Sequence, residues 1–192
     1  MTRSFLFLLG TTRPGGNTEA LARLAADELP ADVRQTWLCL QDLDVKSFQD
    51  IRHNGDGTYP MPAGDDRRLL EETLAATDLV IASPLYWFTV STSVKAYFDQ
   101  WSGWMRVPGV DFRDRMRGKT LWAVTAHTAK DPAEIAPMLG TLRLIADYMG
   151  MRWGGELLAY GNRPGEAMAA PDVDVQAREL FAGVGAAQPV SC

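Results

Sequence analysis

The most constraining feature of the sequence is a short apolar run that leads through a glycine-rich segment into a helical pattern. The run is Ser4 to Leu9, and residues 10–18 follow it with the sequence Gly-Thr-Thr-Arg-Pro-Gly-Gly-Asn-Thr. Glycines permit tight turns and close approach of the backbone to a ligand. The first turn of a helix presents unpaired N–H groups that favour an anion. The sequence therefore predicts a phosphate-binding loop between a buried strand and a helix.

Two well-known phosphate loops do not match this segment. A nucleoside-triphosphate loop requires Gly-x-x-x-x-Gly-Lys-Ser/Thr. Gly10 and Gly15 have that spacing, but Gly16 and Asn17 occupy the positions of the lysine and the hydroxyl residue. The dinucleotide fingerprint Gly-x-Gly-x-x-Gly is also absent, because position 12 is a threonine. The remaining interpretation is a site for one terminal phosphate.

The side chains of the segment can bind such a phosphate. Thr11, Asn17 and Thr18 can donate hydrogen bonds, and Arg13 can add a charge-assisted one. The glycine at position 16 leaves the backbone free to approach the anion. Residue types alone support equally well a capped helix N-terminus with an arginine that faces solvent.

Strand-like apolar runs alternate with helical patterns along the chain, which predicts an α/β protein. The predicted strands are Ser4–Leu9, Val33–Leu40, Asp78–Ser83, Thr120–Thr125 and a run within Arg152–Ala159. The first predicted helix begins at Gly16 or Asn17 and ends before Pro30, and the third begins at Ser91 or Thr92. The second, fourth and fifth predicted helices span 65–76, 131–149 and 172–182. Residues 41–64 form a long loop, and residues 101–119 are predicted to be irregular.

Five strands that alternate with helices favour a doubly wound parallel sheet with helices on both faces, because right-handed crossovers leave few other arrangements. The first strand is apolar throughout and is expected at the centre, which gives the strand order 2-1-3-4-5. In such a sheet the ligand lies beyond the carboxyl ends of the strands, beside the first and third. The phosphate loop follows the first strand, and a second unusual segment, Ser83 to Phe88, follows the third.

The two segments together resemble a known family. Gly-Thr-x-Arg followed by Gly-Asn-Thr is similar to the FMN phosphate loop of flavodoxin-like NAD(P)H-dependent FMN reductases and multimeric flavodoxins, and Pro84-Leu85-Tyr86-Trp87-Phe88 is similar to the segment that wraps the isoalloxazine ring in that family. The resemblance extends over roughly residues 4 to 160. It implies an FMN site formed by Thr11, Arg13, Gly16, Asn17, Thr18, Pro84, Leu85, Tyr86, Trp87, Phe88 and His127.

Within this resemblance, individual roles follow from residue chemistry. The three consecutive rings of Tyr86, Trp87 and Phe88 cannot all be hidden in a core, and a flat tricyclic ring offers them a stacking partner. The alternative interpretation is a hydrophobic lid or a dimer contact. A histidine such as His127 near N1 of the flavin would stabilise the negative charge that reduction places there. A solvated loop histidine is an equally good interpretation of His127. Lys95 and Asp99 match the family, yet their i,i+4 spacing suffices to make them a surface ion pair.

The resemblance implies an FMN-dependent NAD(P)H oxidoreductase, in which NADH or NADPH gives two electrons to the flavin and a quinone, nitro, azo or similar small acceptor takes them. The cofactor carries this chemistry, so no catalytic side chain is expected. The alternative is a non-enzymatic electron carrier of the flavodoxin type. Carriers usually present a strongly acidic face, whereas the net charge of this chain is -5 over 192 residues. Phosphatase and receiver-domain sites of similar topology need a cysteine or acids after Leu9, which are absent.

Composition limits the partners and the compartment. The 19 basic residues are scattered among 24 acidic ones, which argues against a nucleic-acid partner. The apolar run at the N-terminus is too short for a signal peptide or a membrane span, so we expect a cytoplasmic protein without a membrane partner. Cys39 and Cys192 give little support for a disulfide, and no metal site is expected. Residues 41–64 contain no cysteine, which excludes an iron-sulfur cluster there.

The sequence also predicts domain limits and an assembly. Residues 1–185 are expected to form a single domain, and residues 186–192 a flexible tail. A cluster of apolar residues is predicted to be too large for a small isolated domain to bury and so to mark an interface: Trp101, Trp104, Met105, Val107 and Phe112. We therefore expect a homodimer or homotetramer in which this segment or the 41–64 loop reaches a neighbouring copy.

Overall fold

Five parallel strands form one sheet in the order β2-β1-β3-β4-β5. The computed structural model describes residues 3–184. Its strands are β1 (Ser4–Leu9), β2 (Arg34–Cys39), β3 (Asp78–Ala82), β4 (Thr120–His127) and β5 (Arg152–Tyr160). The predicted fold class and strand order are confirmed. The predicted tail, 186–192, lies outside the described residues.

The helices cover both faces of the sheet, as the sequence predicts. They are α1 (Asn17–Ala26), α2 (Gly64–Ala75), α3 (Thr92–Trp104), α4 (Phe112–Met116), α5 (Ala136–Met149) and α6 (Val173–Leu180). Helices α1 and α6 pack on one face, where the core contains Phe5 and Phe7. Helices α2 to α5 pack on the other face, where the core contains Leu6 and Leu8. Strand β1 is therefore buried from both sides, which explains its uninterrupted apolar sequence.

The aromatic segment after α3 differs from the prediction. Helix α3 continues to Trp104, and residues 112–116 form α4, so this part of the chain is less irregular than predicted. Trp101, Trp104 and Phe112 are each at most 3% exposed. The two tryptophans pack edge to face on Tyr97, and Phe112 packs edge to face on both tryptophans. The prediction that a single chain cannot bury this cluster is wrong for four of its members, Trp101, Trp104, Val107 and Phe112, whereas Met105 is only partly buried. Whether the segment reaches a neighbouring copy stays a prediction.

Several element boundaries also differ from the prediction. Strand β4 continues to His127, so this histidine ends the strand instead of following it. A short 3-10 turn, Pro132–Glu134, precedes α5, because the Asp131 carboxylate accepts a hydrogen bond from Ala133 N at 2.8 Å and ends the extended chain there. The last helix is shorter than predicted at both ends. Within residues 3–184, no helix is long and apolar enough to cross a lipid bilayer.

A buried carboxylate fixes the opposite edge of the sheet, where the strands begin. Asp78, which starts β3, is 1% exposed. It accepts hydrogen bonds from the Arg3 guanidinium, with Nε at 3.0 Å, from Thr77 Oγ1 at 2.7 Å and from Trp122 Nε1 at 2.9 Å. Removal of the carboxylate takes away the acceptor of the Trp122 indole and the ion-pair partner of Arg3, whereas Thr77 Oγ1 can still donate to Ser4 O at 3.1 Å.

We predict that Asp78→Ala lowers the free energy of unfolding by about 3 kcal/mol, because it leaves the Trp122 indole and the Arg3 guanidinium without an acceptor. Urea denaturation measures this loss. The matched control is Asp99→Ala, which breaks the exposed Lys95–Asp99 pair on α3 and should change stability by about 0.5 kcal/mol or less. Equal losses in the two variants would contradict the prediction.

Candidate functional site

The loops that follow β1, β3, β4 and β5 meet at the carboxyl edge of the sheet. Thr12 Oγ1 lies 3.4 Å from the Tyr86 hydroxyl, which joins the loop after β1 to the loop after β3. Leu85 N donates to Ala126 O at 3.4 Å, which joins the loop after β3 to β4. The structure therefore brings together the two segments that the sequence singled out.

The loop after β1 offers a set of unpaired backbone donors. The N–H groups of Thr12, Arg13, Asn17 and Thr18 donate to no protein acceptor among residues 3–184. The Arg13 side chain is exposed and forms no ion pair in the same part of the chain. Unpaired N–H groups at a helix N-terminus, together with a guanidinium, are suited to an anion such as phosphate.

The side chains of two predicted phosphate donors form hydrogen bonds within the chain, Asn17 as donor and acceptor and Thr18 as acceptor. Asn17 Nδ2 donates to Arg163 O at 2.9 Å, and Asn17 Oδ1 accepts from Gly165 N at 2.8 Å. Thr18 Oγ1 accepts from Ala126 N at 3.3 Å, and the residue is 3% exposed. These contacts tie the start of α1 to β4 and to the loop after β5. The backbone N–H groups of both residues remain available to an anion.

The aromatic loop after β3 is a tight turn in an unusual conformation. Tyr86 N donates to Thr89 O at 3.0 Å, and Thr89 N donates to Tyr86 O at 3.1 Å. Between them, Trp87 and Phe88 have φ angles of 48° and 63°. Left-handed backbone is uncommon for bulky residues and costs roughly 1–2 kcal/mol per residue. Strain of this kind concentrates at functional sites.

The rings of this turn face solvent. Tyr86 is 46% exposed, Trp87 is 91% exposed and Phe88 is 48% exposed. The turn is supported from beneath by Ser83, whose Oγ accepts from Ser91 N at 2.9 Å and donates to Pro84 O at 3.0 Å. Three exposed rings on a supported, strained turn form a surface that a flat apolar ligand can cover.

His127 ends β4 beside these loops. Its Nδ1 is buried and meets no hydrogen-bond partner among residues 3–184, and its ring lies edge to face with Tyr160 at a centroid distance of 6.2 Å. Burial lowers the pKa of His127, and the backbone of Ala129 acts in the opposite direction to a smaller extent. The imidazole is therefore neutral at pH 7.

Sequence reasoning missed the loop after β5. Tyr160, Asn162, Arg163 and Glu166 line a pocket of about 490 Å³ next to the phosphate loop. The Glu166 carboxylate shapes this loop by accepting from the N–H groups of Asn162 and Arg163, both at 2.8 Å. The sequence could have indicated this loop, because every loop that follows a parallel strand lies at the carboxyl edge of the sheet and β5 was itself predicted. The described residues contain no cluster of three or more His, Cys, Asp or Glu side chains suited to a metal ion.

A family model described as a flavodoxin-like fold matches residues 3–182. The chain belongs to this flavodoxin-like family. A relative from Bacillus subtilis, described as an NAD(P)H-dependent FMN-containing oxidoreductase and named YwqN, is 31% identical over 160 residues, which are 83% of this chain and 86% of the relative. The resemblance predicted from the two motifs is thereby confirmed.

Solved structures show the same fold. The Trp repressor binding protein from Bacillus subtilis is 26% identical to this flavodoxin-like protein, has a TM-score of 0.72, and is matched over 92% of this chain and 97% of that one. An FMN-dependent NADH-azoreductase from Bacillus anthracis, solved in complex with FMN, is 12% identical, has a TM-score of 0.65, and is matched over 96% and 100% of the two chains. At that identity, the second likeness shows the fold alone.

We predict that His127 titrates with a midpoint below its ordinary value of 6.5, because burial disfavours the charged imidazolium. A pH titration of the histidine ring signals by NMR measures the midpoint, and a His127→Gln variant identifies which signal belongs to this residue. A midpoint at or above 6.5 would contradict the neutral state that the structure indicates.

Proposed function

We propose that this protein is an FMN-dependent NAD(P)H oxidoreductase, which passes two electrons from NADH or NADPH through the flavin to a quinone, nitro or azo compound or a similar small acceptor. One observation carries the proposal. The unpaired N–H groups of the loop after β1 and the exposed rings of the loop after β3 lie at one sheet edge and are joined by the contact between Thr12 and Tyr86. The description of the 31% identical relative supports the same activity.

The residues present fit FMN. The backbone N–H groups around Arg13 and at the start of α1 would hold the phosphate, with Thr11 and Gly16 beside them. The exposed rings of the turn after Pro84 and Leu85 would cover the isoalloxazine ring. His127, at the end of β4, would lie near the polar end of that ring. Each predicted site residue thus keeps a role, although Asn17 and Thr18 would act through their backbone.

The protein's own contribution is binding and positioning. Bound FMN would supply the electron-transfer chemistry, so no acidic, basic or nucleophilic side chain is required. The aromatic turn would exclude water from one face of the ring. A neutral His127 at the pyrimidine end would donate a hydrogen bond without adding a fixed positive charge. These roles explain why the site is rich in backbone donors and rings and poor in titratable groups.

The decisive experiment examines the purified protein directly. We expect a flavin absorption spectrum, an extracted chromophore with the mass of FMN, and steady-state oxidation of NADH or NADPH when a quinone is added. A flavin-containing protein with almost no turnover would support the alternative, an electron carrier. A colourless protein that does not take up FMN on titration would contradict both functions.

The phosphate contact has its own test. Arg13→Gln is expected to weaken FMN binding by about tenfold, because it removes a charge-assisted hydrogen bond, and to leave riboflavin binding unchanged. Quenching of flavin fluorescence measures both affinities. Arg178→Gln, on the exposed side of α6, is the matched control and should change neither. An equal loss for FMN and riboflavin would show that Arg13 does not act on the phosphate.

The proposal includes a homodimer or homotetramer, formed through a groove that Trp101 and Met105 of the aromatic segment help to line. An apolar groove of about 740 Å³ lies between α3 and α5, and its rim exposes Leu144 at 70% and Tyr148 at 58%. Asp147 on this rim and Arg113, which lies against Tyr148, form no ion pair among residues 3–184. A second copy related by a twofold axis would place these opposite charges together and cover the apolar side chains.

Light scattering after gel filtration tests this assembly at micromolar concentration. We expect a dimer or tetramer for the unaltered chain and a monomer for Leu144→Glu, because a charge would be buried at the contact. Val175→Glu, at an exposed position on α6, is the control and should not change the mass. A monomer for the unaltered chain would contradict the proposal.

A cytoplasmic location is also part of the proposal. The thiol of Cys39 is free, which suits a reducing compartment. Fractionation of cells that express the tagged protein would test the location, and recovery outside the cytoplasmic fraction would contradict it.

A further inference from the structure

A carboxylate occupies part of the phosphate loop. Glu19 lies in the first turn of α1, and its Oε2 accepts a hydrogen bond from Gly15 N at 2.9 Å. Its Oε1 accepts from Arg23 Nε at 3.0 Å and from Arg23 Nη2 at 2.7 Å. The side chain is only 15% exposed. One amide of the loop that would bind an anion is therefore already taken by an anion of the chain itself.

The carboxylate is held from a second direction. The Arg23 guanidinium lies over the Trp37 ring at 4.5 Å from the centroid. Trp37 in turn stacks on Phe7 of β1 at 4.0 Å and an interplanar angle of 6°. Phe7, Trp37, Arg23 and Glu19 thus contact one another in that order. They link the core of the sheet to the backbone of Gly15. A carboxylate held in this way has a fixed position relative to the loop.

Glu19 is charged at neutral pH. Burial by itself would raise the pKa of this carboxyl, but the hydrogen bonds from Gly15 and Arg23 and the charge of Arg23 outweigh burial and lower the pKa. The loop therefore contains a negative charge beside the N–H groups that face an incoming phosphate. Arg23 balances that charge in part.

We propose that Glu19 is a built-in competing anion that lowers the affinity of the phosphate loop for FMN and so keeps the cofactor exchangeable. The inference rests on the proposed FMN site. If the carboxylate stays in place when FMN binds, its charge repels the phosphate. If it moves away, the bonds to Gly15 and Arg23 are lost. Both routes make phosphate binding weaker than the loop's donors alone would allow.

Glu19→Gln tests the inference, because glutamine keeps an acceptor for Gly15 N–H and removes the charge. We expect FMN to bind about fivefold more tightly at low ionic strength, the size expected for removing one charge near a phosphate. Riboflavin, which lacks the phosphate, should bind as before. Inorganic phosphate should also compete with FMN at a lower concentration in this variant than in the unaltered chain. Fluorescence quenching on the apoprotein measures all three.

The sign of the Glu19→Gln effect separates charge from structure, and a second variant supports the comparison. Arg23→Gln should weaken FMN binding, because the charge of Glu19 is then less balanced. If Glu19 is only a helix cap, both substitutions will weaken binding or leave it unchanged. Glu28→Gln removes the same charge just beyond the C-terminal end of α1. At the same ionic strength it should change FMN affinity much less than Glu19→Gln, because the interaction energy falls with distance. Thermal unfolding shows whether each variant is folded.

The possible outcomes are distinct. Tighter FMN binding by Glu19→Gln with unchanged riboflavin binding, and weaker FMN binding by Arg23→Gln, support the inference. An unchanged or weaker FMN affinity in Glu19→Gln overturns it, as does an equal gain for riboflavin. If the unaltered chain binds neither FMN nor riboflavin, the proposed function itself fails. If the unaltered chain binds FMN and Glu19→Gln binds it with the same affinity, only the inference about Glu19 fails.

Discussion

The close approach of two loops at the end of β1 is the constraint on which the rest of the site depends. Gly10 N donates to Ala82 O at 2.8 Å, which continues the pairing of β1 and β3 past the end of the strands. A Cβ atom at Gly10 would lie 2.4 Å from Val94 Cγ2 and 2.5 Å from Ser91 Oγ. Only glycine lets α3 begin this close to β1, and this closeness places the loop after β1 beside the aromatic turn.

The site combines few charges with many fixed dipoles. Arg13 supplies a free positive charge at the loop, Glu19 supplies a paired negative one, and His127 is kept neutral by burial. The remaining donors are backbone N–H groups, whose positions are set by the ends of the strands and by the side-chain bonds of Asn17. Such dipoles need little reorganisation when a charged ligand binds, which suits a site whose ligand carries the reactive groups.

Sequence reasoning succeeded where the signal was local or periodic. The apolar run of β1, the glycines after it and the alternation of strands and helices predicted the sheet order and the two loops. Sequence reasoning did not predict that Trp101, Trp104 and Phe112 are buried within one chain. A cluster of large rings has the same appearance in sequence whether it lies in a core or on a surface. Sequence reasoning also missed Tyr160 and Arg163, because a loop of ordinary polar residues carries no motif of its own.

The sequence by itself determined the strand-loop-helix unit at the start of the chain, since glycine, proline and apolar periodicity act over a few residues. Only the tertiary structure decided which polar atoms of that unit remain free. Asn17 and Thr18 bond to segments more than a hundred residues away, and Glu19 reaches back to Gly15 while Arg23 is held by Trp37. Hydrogen-bond partners depend on distance in space, and that distance is set by the packing of the whole sheet.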